Sequence, residues 1–352
     1  MVIEMPWLTM IGVAVLAAAV AGCATRGQSA SERLAFDSLD PDPDPAKVAA
    51  RQPLLPERVV FDSFDRDPAT GAPVRIAALL FRPRNADGLR RPAVVALHGC
   101  GGMYSALKSR RDDLSARHRA MAELLTGEGY IVLFPDSFRV RGREEICTVE
   151  NRLRTITQAN RRLDAQGALA YLQSRPDVAP DRVASLGWSH GGSAVLAVLD
   201  ARAPAVAAWA DRRSSPPYFR AGVAFYPGCN DVLRARRGYS VAAPLTLFVG
   251  GADDWTAPGP CIDLAAKLSA AGEPVTITVY PDTYHGFDGP GSQERRRLEV
   301  PNGVHPGKGV TVAANPAARD DAYARLKAFL RTQLDISAKT GGGSGFALSA
   351  GN

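Results

Sequence analysis

The chain has 352 residues, 46% of them hydrophobic and 22% charged, with a formal net charge of +6. That is the balance of a globular protein with a sizeable core, and it excludes a disordered or collagen-like chain. The positive charge is mostly arginine and scattered, without a basic tract interleaved with aromatics; this argues against nucleic acid as a partner and suits a solvated surface, work near an anionic membrane or acidic substrates.

From the N-terminus, residues 7–22 ("WLTMIGVAVLAAAVAG") form an apolar stretch that is short for a bilayer span and ends in small residues. The run Val20-Ala21-Gly22-Cys23 that closes it resembles a bacterial lipoprotein signal, in which the cysteine is lipidated and becomes the new N-terminus. Glu4, with no Lys or Arg beside it, departs from the usual basic start. A plain secretory signal and an uncleaved anchor are the alternatives. Residues 1–23 thus read as a signal peptide with a lipidation site at Cys23, and residues 24–56, with "DPDPDPAK" at 40–47, as a tether. A single domain follows over 57–337, and then a glycine-rich tail over 338–352.

Within the domain, strand-like and helix-like runs alternate. Residues 58–64 and 75–82 predict an early hairpin, and 93–97 ("AVVAL") a short, fully apolar central strand. A helix is expected over 114–125, a strand over 130–134, a helix over 161–173, a strand over 183–187 and a helix over 190–199. Strands over 222–226, 245–249 and 275–280 and helices over 261–271 and 317–334 complete the set. This alternation predicts a mostly parallel sheet with helices on both faces and a site at the carboxyl ends of its strands.

Four segments at such ends carry the chemistry. In "ASLGWSHGG", Ser189 stands between Gly187 and Gly191, where a buried strand meets a helix. A tight strand–turn–helix junction of this kind projects a serine hydroxyl above the sheet as a nucleophile. The hydroxyl needs a base, and His285 in "YPDTYHGFDG" directly follows a strand, whereas His305 in "NGVHPGKG" does not. The acid should leave a strand between them. Asp253 in "GGADDWTAP" leads, with Asp254 and Asp231 as alternatives. The oxyanion hole needs two backbone N–H groups: that of His190, and that of Cys100 or Gly101 in "LHGCGG". Cys100 as the nucleophile itself is a minor reading.

The motifs "LHGCGG", "FPDSFRVRG", "RVASLGWSHGG", "GGADDWTAP" and "YPDTYHGFD" together resemble the dienelactone hydrolase family of α/β-hydrolases. The resemblance implies an eight-stranded α/β-hydrolase sheet and hydrolysis of a small ester or lactone, without metal or organic cofactor. The best-known members carry a cysteine where this chain has Ser189, so the implied enzyme is a serine esterase. A peptidase or acyltransferase of the same fold, or a non-catalytic binding lipoprotein, are the alternatives. Besides Cys23 there are four cysteines, an even number that suits two disulfides in an exported chain. In a sheet of this fold the third and fourth strands adjoin, as do the sixth and seventh, which pairs Cys100 with Cys147 and Cys229 with Cys261. Pocket walls are expected from 136–157, 203–220 and the segment after His285. Arg139, Arg141 and Arg143 are candidates to hold a substrate carboxylate or to pair with Glu144 and Glu145, and Trp188 and Trp255 are expected to pack.

Overall fold

A computed structural model describes residues 54–84, 88–203, 218–291 and 293–334. The signal peptide, Cys23, nearly all of the tether, and the tail lie outside the described residues. Contacts divide the chain after Gln52, and every described residue falls in the second unit, Pro53–Asn352.

Eight strands make one sheet. β1 (Glu57–Arg66) and β2 (Pro73–Phe81) form the expected antiparallel hairpin, and β2 runs antiparallel to β4 (Ile131–Pro135). β3 (Arg91–Leu97), β4, β5 (Val178–Trp188), β6 (Ala221–Phe225), β7 (Leu245–Gly250) and β8 (Val275–Tyr280) are mutually parallel, in the order β1-β2-β4-β3-β5-β6-β7-β8. Successive strand residues point to opposite sides, and in the central strands β3, β4, β6 and β7 both sides are buried, whereas the edge strands β1 and β8 also carry exposed residues. In β3, Ala93, Val95 and Leu97 enter one core cluster, while Val94 and Ala96 enter the other.

Among the described residues five longer helices flank the sheet: α1 (Ala116–Gly127), α2 (Gln158–Gln173), α3 (His190–Val198), α5 (Gly259–Ala270) and α6 (Pro316–Leu334). A single turn, α4 (Asn230–Leu233), lies between β6 and β7. α2 begins three residues earlier than its apolar period indicates, because Thr157 and Asn160 form a reciprocal capping box. After β8 a small antiparallel hairpin, β9 (Arg295–Arg297) with β10 (Val310–Val312), was not foreseen. Strands of three residues, Arg295–Arg297 and Val310–Val312, are too short to give a period to read. Among the described residues no helix is long and apolar enough to cross a membrane.

The four cysteines form Cys100–Cys147 and Cys229–Cys261, the expected pairs. All four are buried. Cys100 therefore has no thiol, and the reading of it as a nucleophile is overturned. The bonds span 47 and 32 residues, and the loop-entropy model assigns each about 4 kcal/mol. Replacing Cys229 and Cys261 together by serine is expected to cost about that much, measured as a lower urea midpoint. An unchanged midpoint would show that the bond constrains nothing.

Candidate active site

Ser189 is the residue between β5 and α3, and its backbone is at φ +51°, ψ −115°. A positive φ at a non-glycine residue stores strain and persists only where the surroundings enforce it. Here a Cβ on Gly187 would overlap the Gly191 backbone, and a Cβ on Gly191 would overlap the carbonyl oxygens of Leu97 and His98. Only glycine at both positions lets the turn close this tightly. The Ser189 N–H donates to the Phe225 carbonyl on the neighbouring strand at 2.9 Å, and Ser189 stays 8% exposed.

Two peptide groups near Ser189 have their carbonyls tied back. The Gly99 carbonyl accepts from His98 Nδ1 at 2.8 Å and from the Gly102 N–H at 3.2 Å. A carbonyl can only accept, so His98 Nδ1 carries the hydrogen. In a trans peptide the N–H points opposite the C=O, which turns the Cys100 N–H away from these donors. Among the described residues no protein acceptor takes it. The Ser189 carbonyl accepts from Ser193 N–H at 2.8 Å and Ser193 Oγ at 3.3 Å. The His190 N–H opens α3, where no intrahelical acceptor exists. Among the described residues neither of the N–H groups expected of an oxyanion hole has a protein acceptor.

Asp253 and His285, 32 residues apart, meet after β7 and β8. His285 Nδ1 lies 2.8 Å from Asp253 Oδ2, with Asp253 and His285 only 4% exposed each. Donation from Nδ1 to the carboxylate leaves Nε2 with its lone pair. The other carboxylate oxygen accepts the N–H groups of Trp255 at 2.8 Å and Thr256 at 2.9 Å. Thr256 Oγ1 is 3.0 Å from Asp253 Oδ2, 3.1 Å from His285 Nδ1 and 3.0 Å from the Tyr226 carbonyl. The sequence reading missed Thr256: an aspartate that caps the backbone just after it is a common turn, but one dimension does not show that the threonine hydroxyl turns back to the carboxylate. Asp254 faces elsewhere, accepting from Thr311 N–H at 2.7 Å and Thr311 Oγ1 at 2.9 Å and so anchoring β10. Asp231 and His305 are exposed.

The imidazole of His285 packs between Tyr226 and Trp255, with ring centroids 4.5 and 4.7 Å away. Below it, the fully buried Asp288 accepts from Trp188 Nε1 at 2.8 Å and Tyr226 Oη at 2.6 Å, and pairs with Arg117 Nε at 3.0 Å. Arg117 also donates to the Gly286 carbonyl at 3.0 Å, which fixes the turn after His285. Trp188 is therefore a packing residue, as expected, whereas Trp255 reaches the cavity.

That cavity, of about 440 Å³, lies within the size range of small-molecule sites. Cys100, Ser189 and His190 share its wall with Trp255 and Thr256. The insertion after β4 contributes Asn151, Arg154 and Ile156, and the segment after His285 contributes Asn302, Gly303 and Val304. Residues 204–217 of the third expected wall lie outside the described residues. Asn302 bridges the two insertions: its Oδ1 accepts the Asn151 N–H and its Nδ2 donates to the Val149 carbonyl, both at 2.8 Å. Arg139 pairs with Asp112, and Arg141 with Asp65 and Asp164, away from the cavity. Arg143 is exposed. Among the described residues the arginine on the cavity wall is Arg154, whose Nε donates to the Val149 carbonyl at 3.1 Å. Burial lowers its pKa, and Glu145 opposes that only in part.

Putative hydrolase YtaP of Bacillus subtilis (strain 168) is 33% identical over 122 residues, 33% of this chain and 40% of that protein. Putative phosphoribosyl transferase Rv0571c of Mycobacterium tuberculosis (strain ATCC 25618 / H37Rv) is 30% identical over 227 residues, 63% of this chain and 42% of that protein. The matches thus span less than half the length of these curated relatives. Esterase 2 of Thermogutta terrifontis, solved as phosphoramylated by tabun, superposes with a TM-score of 0.53 over 80% of this chain and 96% of that one. At 16% identity it shares the fold. The model of the dienelactone hydrolase family matches residues 76–334, which takes in β3 to α6 and every strand end described above, and the chain belongs to that family of hydrolases.

Proposed function

We propose that the protein is a serine esterase that cleaves a small carboxylic ester or lactone through an acyl-enzyme. The observation that carries this reading is the strained φ of +51° at Ser189, on a cavity wall shared with Cys100 and His190. His285 Nε2 takes the proton as Ser189 Oγ attacks the ester carbonyl carbon. The resulting oxyanion is held by the N–H groups of Cys100 and His190. Collapse breaks the bond to the leaving alkoxide, which takes the proton from His285. Water, deprotonated by His285, then attacks the acyl-enzyme and releases the acid and free Ser189. Asp253 keeps the imidazole in the tautomer this requires and stabilises the imidazolium.

Two assays test the reading. A fluorophosphonate probe should label the wild type and not Ser189→Ala. A panel of p-nitrophenyl esters of increasing chain length, with lactones and a carboxylate-bearing ester that Arg154 could recognise, should show turnover on at least one class. No label and no turnover would favour the non-catalytic binding reading. Cleavage of peptides alone would favour a peptidase.

The two disulfides are compatible with export to an oxidising compartment. We further propose that Cys23 is lipidated and holds the enzyme at a membrane. Mass spectrometry of protein from native membranes should then find a lipid-modified Cys23 at the N-terminus, and a mature form beginning elsewhere would refute it.

A further inference from the structure

Arg161 lies in the first turn of α2 with 0% of its surface exposed. A buried guanidinium is costly unless paired, yet no carboxylate forms an ion pair with it among the described residues. Asp164, three residues on, is taken by Arg141 and Ser63. Asp136 is taken by the N–H groups of Phe138 and Arg139. Burial lowers the Arg161 pKa to about 10, which leaves the group charged at neutral pH. Its Nε and Nη2 find no protein acceptor among the described residues.

What Arg161 does touch is informative. Nη1 donates to the His98 carbonyl at 2.6 Å and stands 3.2 Å from His190 Nδ1, while its guanidinium carbon lies 5.3 Å from the centre of the Phe138 ring. A guanidinium only donates, so His190 Nδ1 is the lone-pair nitrogen and the imidazole proton is on Nε2. Burial, reinforced by the charge of Arg161, keeps His98 and His190 neutral. His98 begins the loop that carries the Cys100 N–H, and His190 supplies the other N–H. One charged side chain thus holds both halves of the oxyanion frame.

We propose that Arg161 is a positioning residue: its buried guanidinium ties the exit of β3 to the residue after Ser189 so that the Cys100 and His190 N–H groups converge on one point. Its positive charge also acts through a water-poor interior, where electrostatic effects are large. This rests on the esterase reading.

The test compares Arg161→Met and Arg161→Lys with wild type, using kcat and KM on a p-nitrophenyl ester per active site titrated by fluorophosphonate. Affinity for an alkylboronic acid, whose tetrahedral adduct places an oxygen in the hole, and the melting temperature are measured alongside. Arg161→Met should lose about 10²-fold in kcat, as remote misplacement of a reacting geometry does, with KM changed less than about threefold. Boronate affinity should fall in parallel, and Arg161→Lys should recover part of both. A lower melting temperature with unchanged kcat per site and unchanged boronate affinity would overturn the proposal. Should Arg161→Met not fold, Arg161→Lys and His190→Ala, which keeps the His190 backbone N–H, form a double-mutant cycle. Shared action predicts losses that do not add, and full additivity would overturn it. Wild-type turnover by Ser189→Ala would instead defeat the esterase reading, independently of any Arg161 result.

Discussion

Ser189→Ala is expected to lose about 10⁴- to 10⁶-fold in kcat on any ester the wild type cleaves, while folding normally. The loss follows from position. Ser189 is the residue in the tight turn between β5 and α3, so its Oγ has no neighbouring hydroxyl that could take over the attack from the same strained backbone. Ser193, one turn further, is committed to the Ser189 and Gly228 carbonyls at 3.3 and 3.2 Å. Alanine keeps the Cβ and removes one oxygen, so melting temperature and circular dichroism should stay close to wild type. Retention of wild-type ester hydrolysis would place the nucleophile elsewhere.

Asp253→Asn should cost about 10⁴-fold in kcat, the size of effect seen when a triad acid loses its charge and the imidazole tautomer is no longer fixed. The same change at Asp254 should act on stability. Asp253 Oδ2 faces His285 Nδ1 at 2.8 Å, whereas both oxygens of Asp254 are occupied by Thr311, at 2.7 and 2.9 Å. Asp254→Asn therefore loosens the join between the acid loop and β10 and should lower the melting temperature with kcat changed by less than about tenfold. The reverse ranking would transfer the acid role to Asp254, and equally small effects would point to Asp231.

The two aspartates mark the limit of what the sequence could say. Adjacent carboxylates at a strand end are indistinguishable in one dimension. What separates them is the turn that aims Asp253 inward, through Trp255 and Thr256, and the β9–β10 hairpin that claims Asp254. The strands of that hairpin are only three residues long, too short for a period, so its hold on Asp254 could not be foreseen. The central strands and the Ser189 junction were legible because parallel strands buried on both faces leave short, wholly apolar runs. Cys100–Cys147 and Cys229–Cys261 followed once strand adjacency was supplied by the family's sheet order. The buried Arg161 was hidden for the opposite reason: in "NRRLDAQ" it looks like any solvated helix residue, and only packing against His98 and His190 gives it a role.

The bridge made by Asn302 constrains how this enzyme can diversify. Its side-chain amide meets the backbone at 149 and 151 donor to acceptor and acceptor to donor, so it holds the facing segment whatever side chains that segment carries. Sequence there is free to drift, while length is not. Inserting or deleting a single residue on either side would displace both bonds together and part the two insertions of the cavity wall. New substrate preferences should therefore arise by exchange of side chains such as Arg154, Ile156 and Val304 on a fixed frame, and relatives with loops of different length should have replaced this crossbeam with another.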